Sequence, residues 1–292
     1  MPPLHLFFAV LVFMIWGFNF VVVKVGLEDI PPIFLGFARL FLTSIPAVFF
    51  IKKPQAPFKM ILLYGLVMFG LQFGLLFVGM KLGVTPALAS LLLQLQMFFT
   101  VIFGVLFFAE KVHMWQVLGA LVSFSGIALV GMNLGSDVTL AGCLLVISAA
   151  ISWAAGNIIS KKIGKINMGS LVIWGSFVAW PPLLALSFLV EGSDKIVMAF
   201  ERLTWVSGGS VLYITYMSTF IGYGTWSWLL HQHPLGTIAP FVLLVPVFGM
   251  LSAVLVLGEP LQSWKISAGV LVISGLCINL LGPRIFRRAI KI

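Results

Sequence analysis

The chain has 292 residues, 61% of them hydrophobic and 9% charged, with a formal net charge of +9. A soluble domain carries about 25% charged residues, so this composition excludes a water-soluble globule and makes lipid the solvent for most of the chain. The basic excess does not indicate nucleic acid, because Lys and Arg lie between apolar runs and not on one basic face.

A membrane-spanning helix needs about 20 mainly apolar residues. Ten such stretches are predicted in chain order, at roughly 5–27, 31–52, 57–80, 85–108, 112–132, 139–160, 167–190, 205–230, 236–258 and 264–283. No Lys or Arg precedes the first run, which is longer than a signal-peptide core and lacks a cleavage pattern, so it is read as a retained helix. Turn or charge signals separate the runs: Pro31-Pro32, Lys52-Lys53-Pro54, Thr85-Pro86, Glu110-Lys111, Gly135-Ser136-Asp137 and Glu259-Pro260. Such short connections join antiparallel neighbours. The segment 191–204 reads as the longest and most charged loop. Cys143 and Cys277 sit inside apolar runs, with no zinc spacing and no disulfide framework.

With a cytoplasmic N-terminus, Lys52, Lys53, Lys59, Lys111, Lys161, Lys162, Lys165, Arg284, Arg287, Arg288 and Lys291 fall inside. Only Lys24, Lys81, Lys195, Arg202 and Lys265 fall outside or near the outer ends, and Arg39 lies within a helix. The positive-inside rule therefore puts both termini in the cytoplasm.

The sequence repeats itself. AEKVHMWQVLGALVSFSGIAL from Ala109 aligns without gaps with GEPLQSWKISAGVLVISGLCI from Gly258, pairing Glu110 with Glu259, Trp115 with Trp264 and Gly126 with Gly275. WGFNFVVVK from Trp16 aligns with WAAGNIISK from Trp153, pairing Lys24 with Lys161. Residues 1–134 and 135–292 are thus read as two related five-helix halves. An odd number of helices makes the second half enter the membrane upside down. Inverted repeats of this kind underlie alternating access around a midplane site in many secondary transporters.

The motif Trp16-Gly17-Phe18-Asn19-Phe20, the run Gly258-Glu259-Pro260-Leu261 through Trp264 to Gly275, the run Leu91 to Gly104 and the LLVPVFG run from Leu243 resemble the EamA branch of the drug/metabolite transporter superfamily. The resemblance covers nearly the whole chain and is closest to bacterial exporters of cysteine-pathway metabolites, chiefly O-acetylserine and cysteine. It implies an all-α integral membrane protein of ten helices with a central cavity between the halves, in the bacterial inner membrane. It leaves aromatic amino acids, or aromatic or cationic drugs, as alternative cargo.

Polar groups inside a bilayer are costly and face a bundle interior or a watery cavity. Trp16 and Trp153, related by the repeat and away from the interface that Trp prefers, are candidate cavity walls or helix-packing residues. Asn19 and Asn157, about a turn further on, either bind substrate or bridge helices for about 1 kcal/mol. Gln94 and Gln96 are about 200° apart on an α-helix, so one is expected in the cavity and the other in packing. Gln72 is a further candidate, although Gly70 and Gly74 around it form a close-packing GxxxG pair. Arg39 lies eight residues past Pro31, about 12 Å along its helix. It either snorkels or faces the cavity as a carboxylate-binding cation. Lys24 more easily snorkels, and Lys161 serves topology. Tyr216 and Tyr223, with Trp226 and Trp228, are either an aromatic gate or stacking wall or lipid-facing filler, and Pro240 and Pro246 can loosen the ninth run.

All eight acids, Glu28, Asp29, Glu110, Asp137, Glu191, Asp194, Glu201 and Glu259, fall in loops or at helix ends. A proton relay or a cation-binding site wants an intramembrane carboxylate, so facilitated export or exchange is expected before strong proton coupling. No Walker A motif and no paired catalytic residues are found. The expectation is a transporter and not an enzyme, with no catalytic residues, no metal site and no cofactor. Its partners are a small-molecule substrate and the lipid bilayer, and its working unit is a monomer.

Overall fold

The computed structural model describes residues 1–133, 138–164 and 166–289. Gly135, Ser136, Asp137, Lys165 and Lys291, with the expected boundary at 134/135, lie outside the described residues, as do the side chains of Arg284, Arg287 and Arg288. Regular structure among the described residues is helical: α1 (Pro3–Asp29), α2 (Pro32–Phe49), α3 (Phe58–Lys81), α4 (Pro86–Phe108), α5 (Met114–Met132), α6 (Leu140–Ile163), α7 (Met168–Val190), α8 (Ser193–Glu201), α9 (205–232), α10 (235–257) and α11 (Ser263–Ala289).

Nine of these helices are long and apolar enough to cross a membrane among the described residues. Helix α9 has the length but not the hydropathy, because Ser, Thr, Gly and Tyr interrupt its apolar residues. The predicted spans end within three residues of the observed helices except at the C-terminus, where α11 runs on to Ala289. The expected loop 191–204 is instead largely the short helix α8. Its Ile196 and Ala199, three apart, are buried while Asp194 favours the first turn.

Lipid supplies no hydrophobic drive between helices, so close backbone approach and hydrogen bonds hold them together. The seam between α5 and α11 illustrates this. A Cβ at Gly119 would lie 2.5 Å from the Gly275 carbonyl oxygen, so only glycine permits this crossing. Beside it Ser123 donates to the Val272 carbonyl at 3.1 Å. Helix α2, whose first turn carries no cap of its own, is capped by another helix. Glu191 at the end of α7 accepts from the amides of Ile33 (2.7 Å) and Phe34 (3.0 Å).

The remaining seams come in matched sets. α1 packs on α10 as α6 packs on α4, and α3 on α6 as α9 on α1. α2 with α7, α4 with α10, and α5 with α11 pair with their own counterparts.

The central helices are irregular at matching places. α3 is π-helical over Leu66–Leu71 and α9 over Tyr213–Ile221. α4 has a 3₁₀ turn at Leu93–Leu95, and α10 has one at Ala239–Leu243. Both kinds of segment redirect side chains and carbonyls, and π segments are frequent at functional sites.

Helix α4 ends at Ala109 in the left-handed region (φ 52°), whereas α10 ends at Gly258 (φ 64°) in the same role. An L-residue there costs roughly 1–2 kcal/mol and glycine almost nothing. Ala109→Gly is therefore expected to stabilise the protein by up to about 1 kcal/mol, read as a raised unfolding midpoint of the detergent-solubilised chain.

Candidate functional site

Between α1, α2, α3, α4, α6, α9 and α10 lies a cavity of about 100 Å³. Trp16, Asn19, Arg39, Gln72, Gln94, Gln96, Trp153 and Tyr223 all line it, joined by Phe20, Phe73, Leu76, Leu93, Ser218, Val242 and Val245. The cavity is small beside the roughly 300–1,000 Å³ of drug-sized pockets.

Arg39 on α2 is 4% exposed and does not reach an interface. Its Nη2 donates to Thr219 Oγ1 at 3.3 Å, and its guanidinium carbon sits 4.0 Å above the Phe73 ring. Thr219 passes its own hydroxyl hydrogen to the Ile214 carbonyl, five residues back in the π segment (3.1 Å). Among the described residues Arg39 has no ion pair. A hydroxyl and a π face stabilise the guanidinium by a few kcal/mol at most and leave its charge uncompensated.

Asn19 on α1 and Gln72 on α3 are also buried. Asn19 Oδ1 and Gln72 Nε2 have no hydrogen-bond partner among the described residues. Leaving a buried polar atom unpaired costs about 1–3 kcal/mol each. The cavity is thus lined by a cation and by two amides with an unpaired donor and an unpaired acceptor, among Gln94, Gln96, Ser218, Tyr223 and apolar side chains. Gly70 and Gly74 lie on the opposite side of α3, where added Cβ atoms would meet Ala179 and Leu183 of α7 at 3.8 and 3.7 Å. The glycine pair and the glutamine serve different faces of one helix.

Gln94 and Gln96 both line the cavity, which corrects the expectation that α-helical spacing turns one of them away. The reason is the 3₁₀ turn at Leu93–Leu95: at about 120° per residue it takes the separation from about 200° to about 240°, which the shorter way round is a narrowing from about 160° to about 120°. Gln94 donates to the Val242 carbonyl in the matching 3₁₀ turn of α10 (3.2 Å). Gln96 accepts from Asn157 Nδ2 at 3.4 Å, and the same group contacts Thr100 Oγ1 at 3.3 Å. Asn157 therefore stands behind Gln96 and is not itself in the wall.

Each π segment offers a carbonyl to a neighbouring helix. Trp16 Nε1 donates to the Ser218 carbonyl of α9 (3.0 Å), and Ser152 of α6 donates to the Val67 carbonyl of α3 (2.7 Å). The Trp16 ring lies 5.5 Å from Tyr223, 5.6 Å from Phe13 and 6.2 Å from Trp226. A Cβ on Gly222 would collide with its indole. Tyr216 is away from the cavity: it is 43% exposed and stacks on Phe220. Lys24 is also outside the cavity wall, and Lys161 pairs with Glu110 at the end of α4.

The sequence reading missed Phe73, Thr219 and the Ser218 carbonyl. Phe73 was visible as part of a Phe69–Phe73–Phe77 column at four-residue spacing, stacked at 6.0 and 5.8 Å. Nothing in the sequence announces the π segment that aims the other two. Among the described residues no three His, Cys, Asp or Glu side chains converge to hold a metal.

The chain matches the EamA-like transporter family twice, over residues 4–132 and 140–281. It is 39% identical to a protein of Salmonella typhimurium named "Probable amino-acid metabolite efflux pump", over 97% of both chains. A protein of the same name from Escherichia coli is also 39% identical, again over 97% of both. An uncharacterized transporter of Bacillus subtilis, YoaV, is 26% identical over 91% of this chain and 93% of its own. One solved crystal structure shares the fold with a TM-score of 0.63 at 17% identity, covering 96% of this chain and 98% of that one.

Replacing the Trp16 indole by a ring without a donor isolates its hydrogen bond from its bulk. Trp16→Phe is expected to cost about 1 kcal/mol of stability, measured as a lowered unfolding midpoint. It is also expected to slow transport by disturbing Tyr223, measured as flux in proteoliposomes.

Proposed function

The chain belongs to the EamA-like transporter family, and from that premise we propose that it exports small amino-acid-type metabolites, cysteine and O-acetylserine among them, by alternating access. As a member it is a multi-pass transporter of the bacterial inner membrane, with many apolar helices in the bilayer. In our reading α9 crosses as well, giving ten spans with both termini in the cytoplasm. Residues 1–134 and 135–292 are then inverted five-helix halves. The matched seams, the matched π and 3₁₀ segments and the double family match support this arrangement.

One observation carries the substrate class: a buried, uncompensated guanidinium facing a small cavity that also holds an unpaired donor and an unpaired acceptor. A zwitterion answers all three. Its carboxylate takes Arg39 and the Gln72 amide, and its ammonium takes the Asn19 carbonyl oxygen, with Gln96 close by. A short side chain rests on Phe20, Trp16 and Tyr223. Amide groups suit both ends because each offers donors and an acceptor. The same amino-acid framework with an aromatic side chain is the second reading, favoured by the tryptophans and Tyr223 in the wall. A cationic drug fits poorly beside Arg39.

No described carboxylate lies in the cavity wall, so we expect facilitated export or exchange. Efflux from proteoliposomes is then unchanged when the pH gradient is collapsed, and proton uptake stoichiometric with substrate counterflow would refute this.

Labelled cysteine, O-acetylserine, threonine and phenylalanine loaded into proteoliposomes test the cargo. Saturable efflux of the small zwitterions is expected, with a loss of about 10- to 100-fold in Arg39→Ala, the value of a charged hydrogen bond. Efflux of phenylalanine alone selects the aromatic reading, and efflux indifferent to Arg39 removes it from the site.

A further inference from the structure

Two carboxylates and two lysines occupy equivalent places in the two halves, yet they are paired differently. Glu110 follows the left-handed Ala109; the Ala109 amide bonds to the Val105 carbonyl (3.0 Å) and the Glu110 amide to Gly104 (3.3 Å). Glu259 follows the left-handed Gly258, with the same two bonds to Val254 (3.1 Å) and Ala253 (3.1 Å). Matching backbone bonds therefore carry the two carboxylates, although Glu110 folds over Gly104 where the second half has Ala253. Lys24 and Lys161 close the aligned segments WGFNFVVVK and WAAGNIISK.

In the α4–α6 seam Glu110 is ion-paired with Lys161, whose ammonium lies 4.6 Å from the Phe108 ring centre. Exchange of the halves maps this pair onto Glu259 and Lys24 in the α10–α1 seam. That pair is not made. Glu259 is bound to Lys265 at 3.0 Å with both side chains buried, and its second oxygen has no partner among the described residues. Lys24 has no ion pair among the described residues. The two nevertheless sit at the same end of one seam. Val21 and Ala253 share a buried cluster bordered by Leu257, which puts Lys24 one turn beyond and Glu259 two residues beyond that contact.

The sequence supplies the reason for the asymmetry. Lys265 stands where the first half has Gln116, which is neutral and spends its Oε1 on the His113 amide (2.9 Å). Glu110 has a neutral residue at the position from which Lys265 reaches Glu259.

We propose that Glu110–Lys161 and Glu259–Lys24 are alternating latches on opposite faces of the transporter, and that Glu259 changes partner from Lys265 to Lys24 as the first latch opens. This rests on the inverted-repeat transporter reading, in which the two halves exchange conformations. A buried carboxylate with an unfilled oxygen is held incompletely, so Lys265 parks Glu259 and does not satisfy it. The structure has the cytoplasmic latch made and the outer one open.

Spin-label distances in the full chain test the proposal without any cargo. Labels go on cysteines at Val112 and Lys162, beside the first latch, and at Glu28 and Leu261, beside the second, with Cys143 and Cys277 replaced by Ala. In proteoliposomes Glu110→Gln is expected to lengthen the 112–162 distance and shorten the 28–261 distance. Lys265→Gln is expected to shorten 28–261 by releasing Glu259 to Lys24. In flux, Lys24→Gln and Lys161→Gln each slow transport up to about fivefold, the worth of an exposed ion pair, and Glu110→Lys with Lys161→Glu restores it. Unchanged distances in both carriers, or normal flux in Lys24→Gln, overturn the latch and leave Lys24 a snorkelling residue. Distances that move while no cargo is carried uphold the latch and overturn the cargo reading instead.

Discussion

A positive charge held inside a bilayer without a carboxylate beside it constrains everything around it. Arg39 is far enough along α2 that snorkelling fails, so its charge is met by the Phe73 ring and the Thr219 hydroxyl. Neither neutralises it. Thr219 is free to accept from Arg39 because its own hydrogen goes back to Ile214, a five-residue reach that the π-helical path of α9 allows. The apolar composition and the acids at helix ends leave Arg39 without a carboxylate partner among the described residues.

The site is asymmetric although its frame is matched. The π segments of α3 and α9 both present carbonyls to a neighbouring helix, and the 3₁₀ turns of α4 and α10 meet through Gln94 and the Val242 carbonyl. Irregular backbone at membrane depth is tolerated where it lines a cavity, because side chains there take up the freed groups. These four irregular segments surround the site, and the helices at the periphery, α5 and α11, are regular and closely crossed. Regular helices lie at the edge and irregular ones at the centre.

Much of this was readable from residues. Apolar run lengths located the helices because the bilayer thickness sets them. The cost of burying polar groups pointed to Trp16, Asn19, Arg39, Gln72, Gln94, Gln96, Trp153 and Tyr223, which gather around one cavity. Asn157 takes the helix-bridging alternative, bonded to Gln96 and Thr100 of α4. Where α-helical spacing misleads, the backbone leaves the α-helix: Gln94 and Gln96 share a wall because the helix tightens between them. Tyr216 lies apart from Tyr223 because the intervening segment is partly π-helical, so its seven-residue spacing does not keep both on one face. Local hydrogen-bond register decides such matters, and composition carries no trace of it.

The low hydropathy of α9 bears on how the protein is made. A segment rich in Ser, Thr, Gly and Tyr partitions weakly from the translocon into lipid by itself. Two of its polar groups are met by a helix synthesised long before it: the Ser218 backbone carbonyl accepts from Trp16, and the Tyr213 hydroxyl donates to the Ile15 carbonyl, both on α1. Because chains assemble from the N-terminal end during synthesis, α1 is already in the bilayer when α9 emerges. Helix α9 thus finds its hydrogen-bond partners on a helix already made when it emerges. The least apolar long helix is thereby tied, by side-chain to backbone hydrogen bonds, to the first helix of the chain.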